Sequence, residues 1–306
     1  MPGLSPLTVP ERRLFRPVGS GATAGEMAVL ELGDPGRPVD LVFAHANGFN
    51  AATYRALLTP LAGAGRRIWA PDLRGHGLSR LPADPTVRRR GWTDHARDIA
   101  DLLAGMDGPP VVLAGHSMGG TSGLLAAAVD PAPVSSLVLL DPVIWRRAAV
   151  LAFHLPFMDR LPERIPLVKN ARKRRARFDS REQALQAYRG RGAFRGWSDE
   201  TLADYLSDGL IEDRDGFVLT CAPDWEASNY AAQAHDPWRA LARVERPVRI
   251  QKAAEASPCH IDAPPRGLPE VTVETVAGGS HLFPMIQPEI ARAALAEALE
   301  GGRKDG

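Results

Sequence analysis

The chain has 306 residues, 44% of them hydrophobic and 24% charged, with a formal net charge of +1. This is the make-up of an ordinary globular protein, long enough for one α/β domain with an insertion, and it excludes a strongly basic nucleic-acid binder. No apolar run approaches a membrane span, no secretory leader is visible, and Cys221 and Cys259 stand in no metal or redox spacing, so a cytoplasmic protein with two unpaired thiols is expected.

Leu14 to Val18 and Glu26 to Leu32 read as two short strands in a hairpin at a sheet edge. Val39 to Ala44, apolar apart from Asp40, reads as a buried parallel strand. Tyr54, Leu57, Leu58 and Leu61 follow at helical spacing, then a strand at Arg67 to Ala70. The segment Asp72 to Ser79, with Arg74 and two glycines, suits a fixed turn. A helix over Trp92 to Met106 is marked by Ala96, Ile99, Leu102 and Leu103. After the strand beginning at Val111 comes a small-residue helix, Thr121 to Val129, and another buried strand, Leu137 to Leu140.

The alternation of strand and helix then stops for about a hundred residues. It resumes with strands Val248 to Gln251 and Val271 to Val276, a loop at Gly278-Gly-Ser-His281, and a last helix, Pro288 to Leu299. The expected architecture is α/β: an open, mostly parallel sheet with helices on both faces. Its core comprises residues 1–142 and 244–306, with a helical cap at 143–243 inserted after the sixth strand.

The stretch Val111 to Gly120 carries the chemistry. An apolar strand ends abruptly in Gly115-His116-Ser117-Met118-Gly119, and a helix follows. Strand, sharp G-x-S-x-G turn and helix are the context of a nucleophile elbow, which would raise the Ser117 hydroxyl to the carboxyl edge of the sheet. A serine hydroxyl needs a neighbouring base. His281, in the glycine-rich loop after the last strand, would hang over that edge. His45, His76, His95, His116, His154, His235 and His260 have weaker claims. Acyl chemistry also needs oxyanion donors. The Met118 N–H is one, and the Asn47 N–H, in the loop His45-Ala-Asn-Gly-Phe49, is the other, although Asn47 and Gly48 equally suit an ordinary turn.

These segments, with Pro71-Asp-Leu-Arg-Gly-His-Gly-Leu-Ser79, Leu139-Leu-Asp-Pro142 and Gly279-Ser-His281, make the chain resemble the α/β-hydrolase superfamily over nearly its full length. The resemblance implies a Ser–His–acid triad, an oxyanion loop after the third strand and a cap after the sixth. One element departs from the usual pattern. The loop after the seventh strand, Lys252-Ala-Ala-Glu-Ala-Ser257, lacks the usual aspartate. Asp141 at the end of strand six is the preferred acid, Glu255 the alternative and Asp262 a distant third.

The expected function is a cofactor-independent serine esterase cleaving a small or medium carboxylic ester, thioester or lactone, as a monomer or homodimer. No metal or nucleotide is implied. C–C bond hydrolysis, peracid formation or ligand binding without turnover are the alternatives on the same framework. A serine at the elbow argues against dehalogenase and epoxide hydrolase chemistry, where the resemblance implies an aspartate nucleophile. The basic run Lys169 to Arg177 reads as the surface of a cap helix. Trp145, Phe153, Phe157, Trp197, Trp225 and Tyr230 suit either an acyl pocket or the cap's own core.

Overall fold

The computed structural model describes residues 9–155, 165–268 and 270–301. β1 (Glu11–Val18) and β2 (Gly25–Leu32) pair antiparallel, with Glu11 opposite Leu32 and Val18 opposite Gly25. There follow β3 (Leu41–Ala44), α1 (Arg55–Gly63), β4 (Ile68–Pro71), α2 (Thr93–Ala104), β5 (Val111–His116), α3 (Met118–Ala127) and β6 (Val134–Leu140). Between the sixth strand and the next strand of the main sheet lie α4 (Arg147–Phe153), α5 (Pro166–Arg172), β7 (Arg177–Phe178), α6 (Arg181–Tyr188), α7 (Asp199–Gly209), β8 (Leu210–Asp213), β9 (Gly216–Leu219), α8 (Pro223–Ala231) and α9 (Pro237–Leu241). The chain closes with β10 (Val248–Glu255), β11 (Val271–Ser280), α10 (Phe283–Ile286) and α11 (Pro288–Gly301).

Eight strands form one sheet in the order β1-β2-β4-β3-β5-β6-β10-β11. From β4 to β11 neighbours run parallel, and β2 opposes both of its partners. The apolar runs follow from burial on both faces. Val42 and Leu113 point to the side packed by Ile99, Leu102 and Leu124 of α2 and α3. Leu41, Phe43, Val112 and Ala114 point to the side packed by Leu57, Leu58, Leu295 and Leu299 of α1 and α11. Alternation along each strand thus feeds two cores with one sheet between them.

The structure differs from the sequence reading in the segment after β6 and at several element ends, among them β10, which runs through Glu255 where a loop was expected from Lys252. The segment between β6 and β10 is not wholly helical: β7, β9 and β8 form a separate three-stranded antiparallel sheet. Strands of two to four residues leave no readable alternation, which is why the sequence concealed them. In addition, β11 runs on through Ser280, where a loop was expected from Gly278. Both cysteines are unpaired and buried. Among the described residues no helix is long and apolar enough to cross a membrane.

Five buried histidines make the fold acid-sensitive. Burial holds His45 and His76 below their ordinary range, His95 down to about 4, and His116 and His235 down to about 3. Each is therefore neutral when folded and protonated when unfolded at mildly acidic pH. Their contribution is fully present above the unfolded value near 6.5 and is lost as pH falls towards the folded values. Every extra proton taken up by the unfolded chain adds about 1.4 kcal/mol per pH unit to the slope. Urea unfolding at pH 7.5, 6.0 and 5.0 should show a steep fall in stability below pH 6.5; a flat profile would contradict this account.

Candidate active site

Ser117 sits between β5 and α3 with φ 53° and ψ −118°, a conformation that non-glycine residues rarely adopt. The glycines around it are required by close backbone approach. A Cβ on Gly115 would lie 2.6 Å from the Gly119 carbonyl carbon, and one on Gly119 would lie 2.2 Å from the Ala44 oxygen. One on Gly120 would lie 2.7 Å from the Gly115 oxygen. The turn is fixed by the Ser117 N–H donating to the Leu140 carbonyl at 2.9 Å and the Thr121 N–H donating to the Ser117 carbonyl at 3.0 Å.

The structure brings Ser117, His281 and Asp141 together from three separate segments. His281 Nε2 lies 3.0 Å from Ser117 Oγ, and His281 Nδ1 lies 2.6 Å from Asp141 Oδ2. Asp141 follows β6 with φ 43° and has no exposed surface. Its second carboxylate oxygen accepts from the Ala253 N–H at 2.9 Å and from Ser257 Oγ at 2.5 Å. Burial alone would push the Asp141 pKa up. The bonds from His281, Ser257 and Ala253 outweigh it, holding the carboxyl below its ordinary value and therefore ionised. Ser117 and Asp141 are buried, while the His281 side chain is about a third exposed, so the chain of three opens to solvent at the imidazole.

Glu255 lies at the exposed end of β10, level with Ser280 in the strand register. The position facing His281 Nδ1 is taken by Asp141. Asp262 is exposed and pairs with Lys252 at 2.6 Å. The residue that sequence reasoning missed here is Ser257. It lies in the very loop that lacks an aspartate, and it supplies the carboxylate with a donor.

The loop after β3 is held from several sides. Asn47 Nδ2 donates to the Glu226 carbonyl at 3.0 Å, and Asn47 Oδ1 accepts from Asn229 Nδ2 at 2.9 Å. The Gly48 N–H donates to His76 Nε2 at 3.1 Å, and His76 Nδ1 donates to the Arg74 carbonyl at 2.9 Å. His45 Nε2 accepts from the Leu73 N–H at 2.8 Å. His45 and His76 are thus neutral structural links, as their low pKa requires. Asp72 accepts from the N–H groups of Ala51 and Leu78 at 2.7 and 2.9 Å, and Arg74 makes a two-point pair with Asp98, so the segment after β4 is a braced turn. Met118 is the first residue of α3, where the N–H has no intrahelical acceptor.

The basic run divides. Lys169 and Arg172 lie in the last turn of α5, but Arg174 turns inward to Glu226 and to the Tyr205 hydroxyl at 2.7 Å. Most of the aromatic candidates pack within the protein. Trp225 Nε1 donates to the Arg74 carbonyl at 2.9 Å, Trp145 Nε1 to Gln233 at 2.9 Å, and the Trp197 ring lies 5.3 Å from Phe49. Phe153 lies against Trp145, and Tyr230 is half-buried beside the α5–α8 contact. Phe157 is outside the described residues. Among the described residues no three His, Cys, Asp or Glu side chains converge as metal ligands would.

Fold, elbow and three-residue chain together define the class, and comparison with known proteins agrees. Residues 41–294 match the model of the alpha/beta hydrolase family, and the chain belongs to that family. It is 27% identical over 309 aligned positions to the magnesium-chelatase 30 kDa subunit of Rhodobacter capsulatus, covering 97% of this chain and 100% of that protein. It is 34% identical over 117 residues to a 2-hydroxymuconate semialdehyde hydrolase of Pseudomonas sp., but that match spans 38% of this chain and 40% of the relative. Among solved structures, the peroxisomal alpha-beta-hydrolase Lpx1 of Saccharomyces cerevisiae superposes with a TM-score of 0.74 at 19% identity, over 97% of this chain and 90% of that one. E-2-(acetamidomethylene)succinate hydrolase does so with a TM-score of 0.70 at 24% identity, over 94% and 100%. Likeness at these identities establishes the shared fold.

The elbow's packing gives a direct test. A methyl group on Gly119 must displace the main chain of β3, whereas one on Gly123 makes ordinary contact with the Leu113 side chain at 3.5 Å or more. Gly119→Ala should lower stability by about 3 kcal/mol or more. Gly123→Ala should be neutral or stabilising by up to about 1 kcal/mol through helix propensity. Urea unfolding midpoints of the two variants would decide, and equal midpoints would refute the close-approach argument.

Proposed function

We propose that this chain is a serine hydrolase acting on a small or medium carboxylic ester, or on a thioester or lactone, with residues 143–243 as its cap. The observation that carries the reading is the unbroken hydrogen-bonded chain from Ser117 Oγ through His281 to Asp141.

In this reading His281 Nε2 takes the Ser117 proton as Oγ attacks the acyl carbon. The new O–C bond converts the carbonyl oxygen to an oxyanion, which the N–H groups of Asn47 and Met118 receive, with the N-terminus of α3 behind them. Asp141, ionised and buried, holds the imidazole with Nδ1–H towards itself and stabilises the imidazolium that forms. The imidazolium returns its proton to the leaving group as the C–O or C–S bond breaks. Water then repeats the sequence against the acyl-enzyme, ending with free Ser117 and a carboxylic acid. The steps use these three side chains, the two main-chain N–H groups and water.

The local match to a hydroxymuconate semialdehyde hydrolase keeps C–C bond cleavage within reach of the same framework. A different reading, ligand binding without turnover, is raised by the full-length match to a protein named as a magnesium-chelatase subunit. An intact Ser–His–Asp chain weighs against loss of turnover.

Labelling by a fluorophosphonate probe tests the nucleophile. Wild type should label and turn over p-nitrophenyl esters of short or medium chain, and Ser117→Ala should do neither. A folded wild type that fails both, yet binds ligand stoichiometrically, would favour the binding role. The acid is tested separately. Asp141→Asn should lower kcat by about 10³- to 10⁴-fold. Glu255→Gln should leave kcat within about twofold, as expected for an exposed side chain off the reacting chain. The reverse outcome would move the acid to Glu255.

A further inference from the structure

The residue before Ser117 in the elbow motif is a histidine that touches neither Ser117 Oγ nor the His281 ring nitrogens through a hydrogen bond. It is instead the middle of a second buried chain. The Ala46 N–H donates to the Tyr54 hydroxyl at 3.1 Å, the Tyr54 hydroxyl lies 2.7 Å from His116 Nδ1, and His116 Nε2 lies 2.8 Å from the main-chain carbonyl of His281. Tyr54 and His116 are essentially fully buried, and the His116 ring centre is 4.9 Å from that of His281.

The proton positions follow from the two ends. A peptide carbonyl only accepts, so His116 Nε2 must carry a hydrogen. Burial, and then the neighbouring His281, push the His116 pKa down to about 3, so the ring is neutral and Nδ1 is bare. Nδ1 therefore accepts from the Tyr54 O–H. The Tyr54 oxygen, having donated its hydrogen, accepts from Ala46. Each polar atom has a partner, and the chain has a single polarity from the β3 loop to His281. A doubly protonated His116 would place two donors on the Tyr54 oxygen and strand the hydroxyl hydrogen.

We propose that Tyr54 and His116 are positioning residues that set the β3 loop and the His281 main chain in a common frame. The inference rests on the serine hydrolase reading. One end of the chain holds Ala46, the residue before the proposed oxyanion donor Asn47. The other end holds the carbonyl of the residue whose imidazole must meet both Ser117 and Asp141. Base and oxyanion donor come from the two sides of β5, and the His116 side chain spans them from the strand's last residue. Neither residue hydrogen-bonds to Ser117 Oγ or to the His281 imidazole; both act by fixing the geometry on which proton transfer depends, where an error of about 1 Å costs about 10²-fold in rate.

The test uses Tyr54→Phe, His116→Leu and His116→Gln in the full chain, with kcat and KM measured on a p-nitrophenyl ester. His116→Leu and Tyr54→Phe should lower kcat by about 10- to 100-fold with KM within about threefold. His116→Gln keeps an N–H donor for the His281 carbonyl and should recover most of the loss. Loss in KM rather than kcat, unchanged kcat in folded His116→Leu and Tyr54→Phe, or a glutamine variant no better than leucine would overturn the proposal. If His116→Leu does not fold, Tyr54→Phe and His116→Gln decide alone. An independent readout needs no turnover. Imidazole ¹⁵N NMR should show His116 as the neutral Nε2–H form down to about pH 4, with the Nδ1 resonance shifted in Tyr54→Phe. Should the fluorophosphonate experiment fail while this NMR pattern holds, the hydrolase reading falls and the relay stands as structure.

Discussion

The site depends on how closely two backbones approach beneath Ser117. With glycines at 115, 119 and 120, the first turn of α3 lies against β3 and the end of β5, leaving no space for side chains. The chain can then reverse within one residue, at the cost of a left-handed serine, a strain of about 1–3 kcal/mol. That cost is offset by an environment that permits no alternative. Ser117 N–H is bound to Leu140, its carbonyl to Thr121, and β5 and all of α3 but Leu125 are buried. The hydroxyl is presented at the carboxyl edge because the backbone has nowhere else to go.

The same edge collects the other strained positions. Among the described residues three non-glycine residues have positive φ: Ser117 after β5, Asp141 after β6, and Ala256 after β10. These strands are neighbours in the sheet. Ala256 precedes Ser257, so the third strained residue aims the hydroxyl that donates to Asp141. The segment from the end of β10 into the loop after it thus carries no carboxylate towards His281 but supplies two donors, the Ala253 N–H within the strand and the Ser257 hydroxyl beyond it. The carboxylate facing His281 follows β6, and the segment where the resemblance implied an aspartate supplies its donors instead. An ionised carboxylate with no solvent exposure needs such donors, because desolvation acting alone would raise its pKa and neutralise it.

What the sequence disclosed were features encoded within a single segment. The elbow is written in ten consecutive residues, and the buried strands are apolar runs bounded by glycine and proline. The expectation that Ser117, His281 and Asp141 meet rests on each following a strand whose carboxyl end lies on one edge. Features that depend on register between distant segments stayed hidden. Nothing around Tyr54 marks it as a partner of His116, 62 residues away, since the contact exists only when α1, β3 and β5 are assembled. Arg174 reads as one cation in a basic run, yet Glu226 and Tyr205 draw it inside. The cap sheet was missed for a different reason, its strands being shorter than any periodicity.

The contacts of α8 bear on how the inserted segment can move. Its Glu226 carbonyl and Asn229 side chain hold both ends of the Asn47 amide, and the Glu226 carboxylate lies 2.8 Å from where a Cβ on Gly48 would stand. From α7, the Tyr205 carbonyl takes the Asn50 side chain at 2.8 Å, while the Phe49 ring packs edge-on against Tyr205. Lifting these helices together would tear polar groups from buried partners, each worth about 0.5–1.5 kcal/mol net, and would loosen the loop that carries the proposed oxyanion donor. Displacing α7 and α8 together would therefore disturb the proposed site. Helices α7 and α8 belong mechanically with the β3 loop, held to it through Asn47, Phe49 and Asn50.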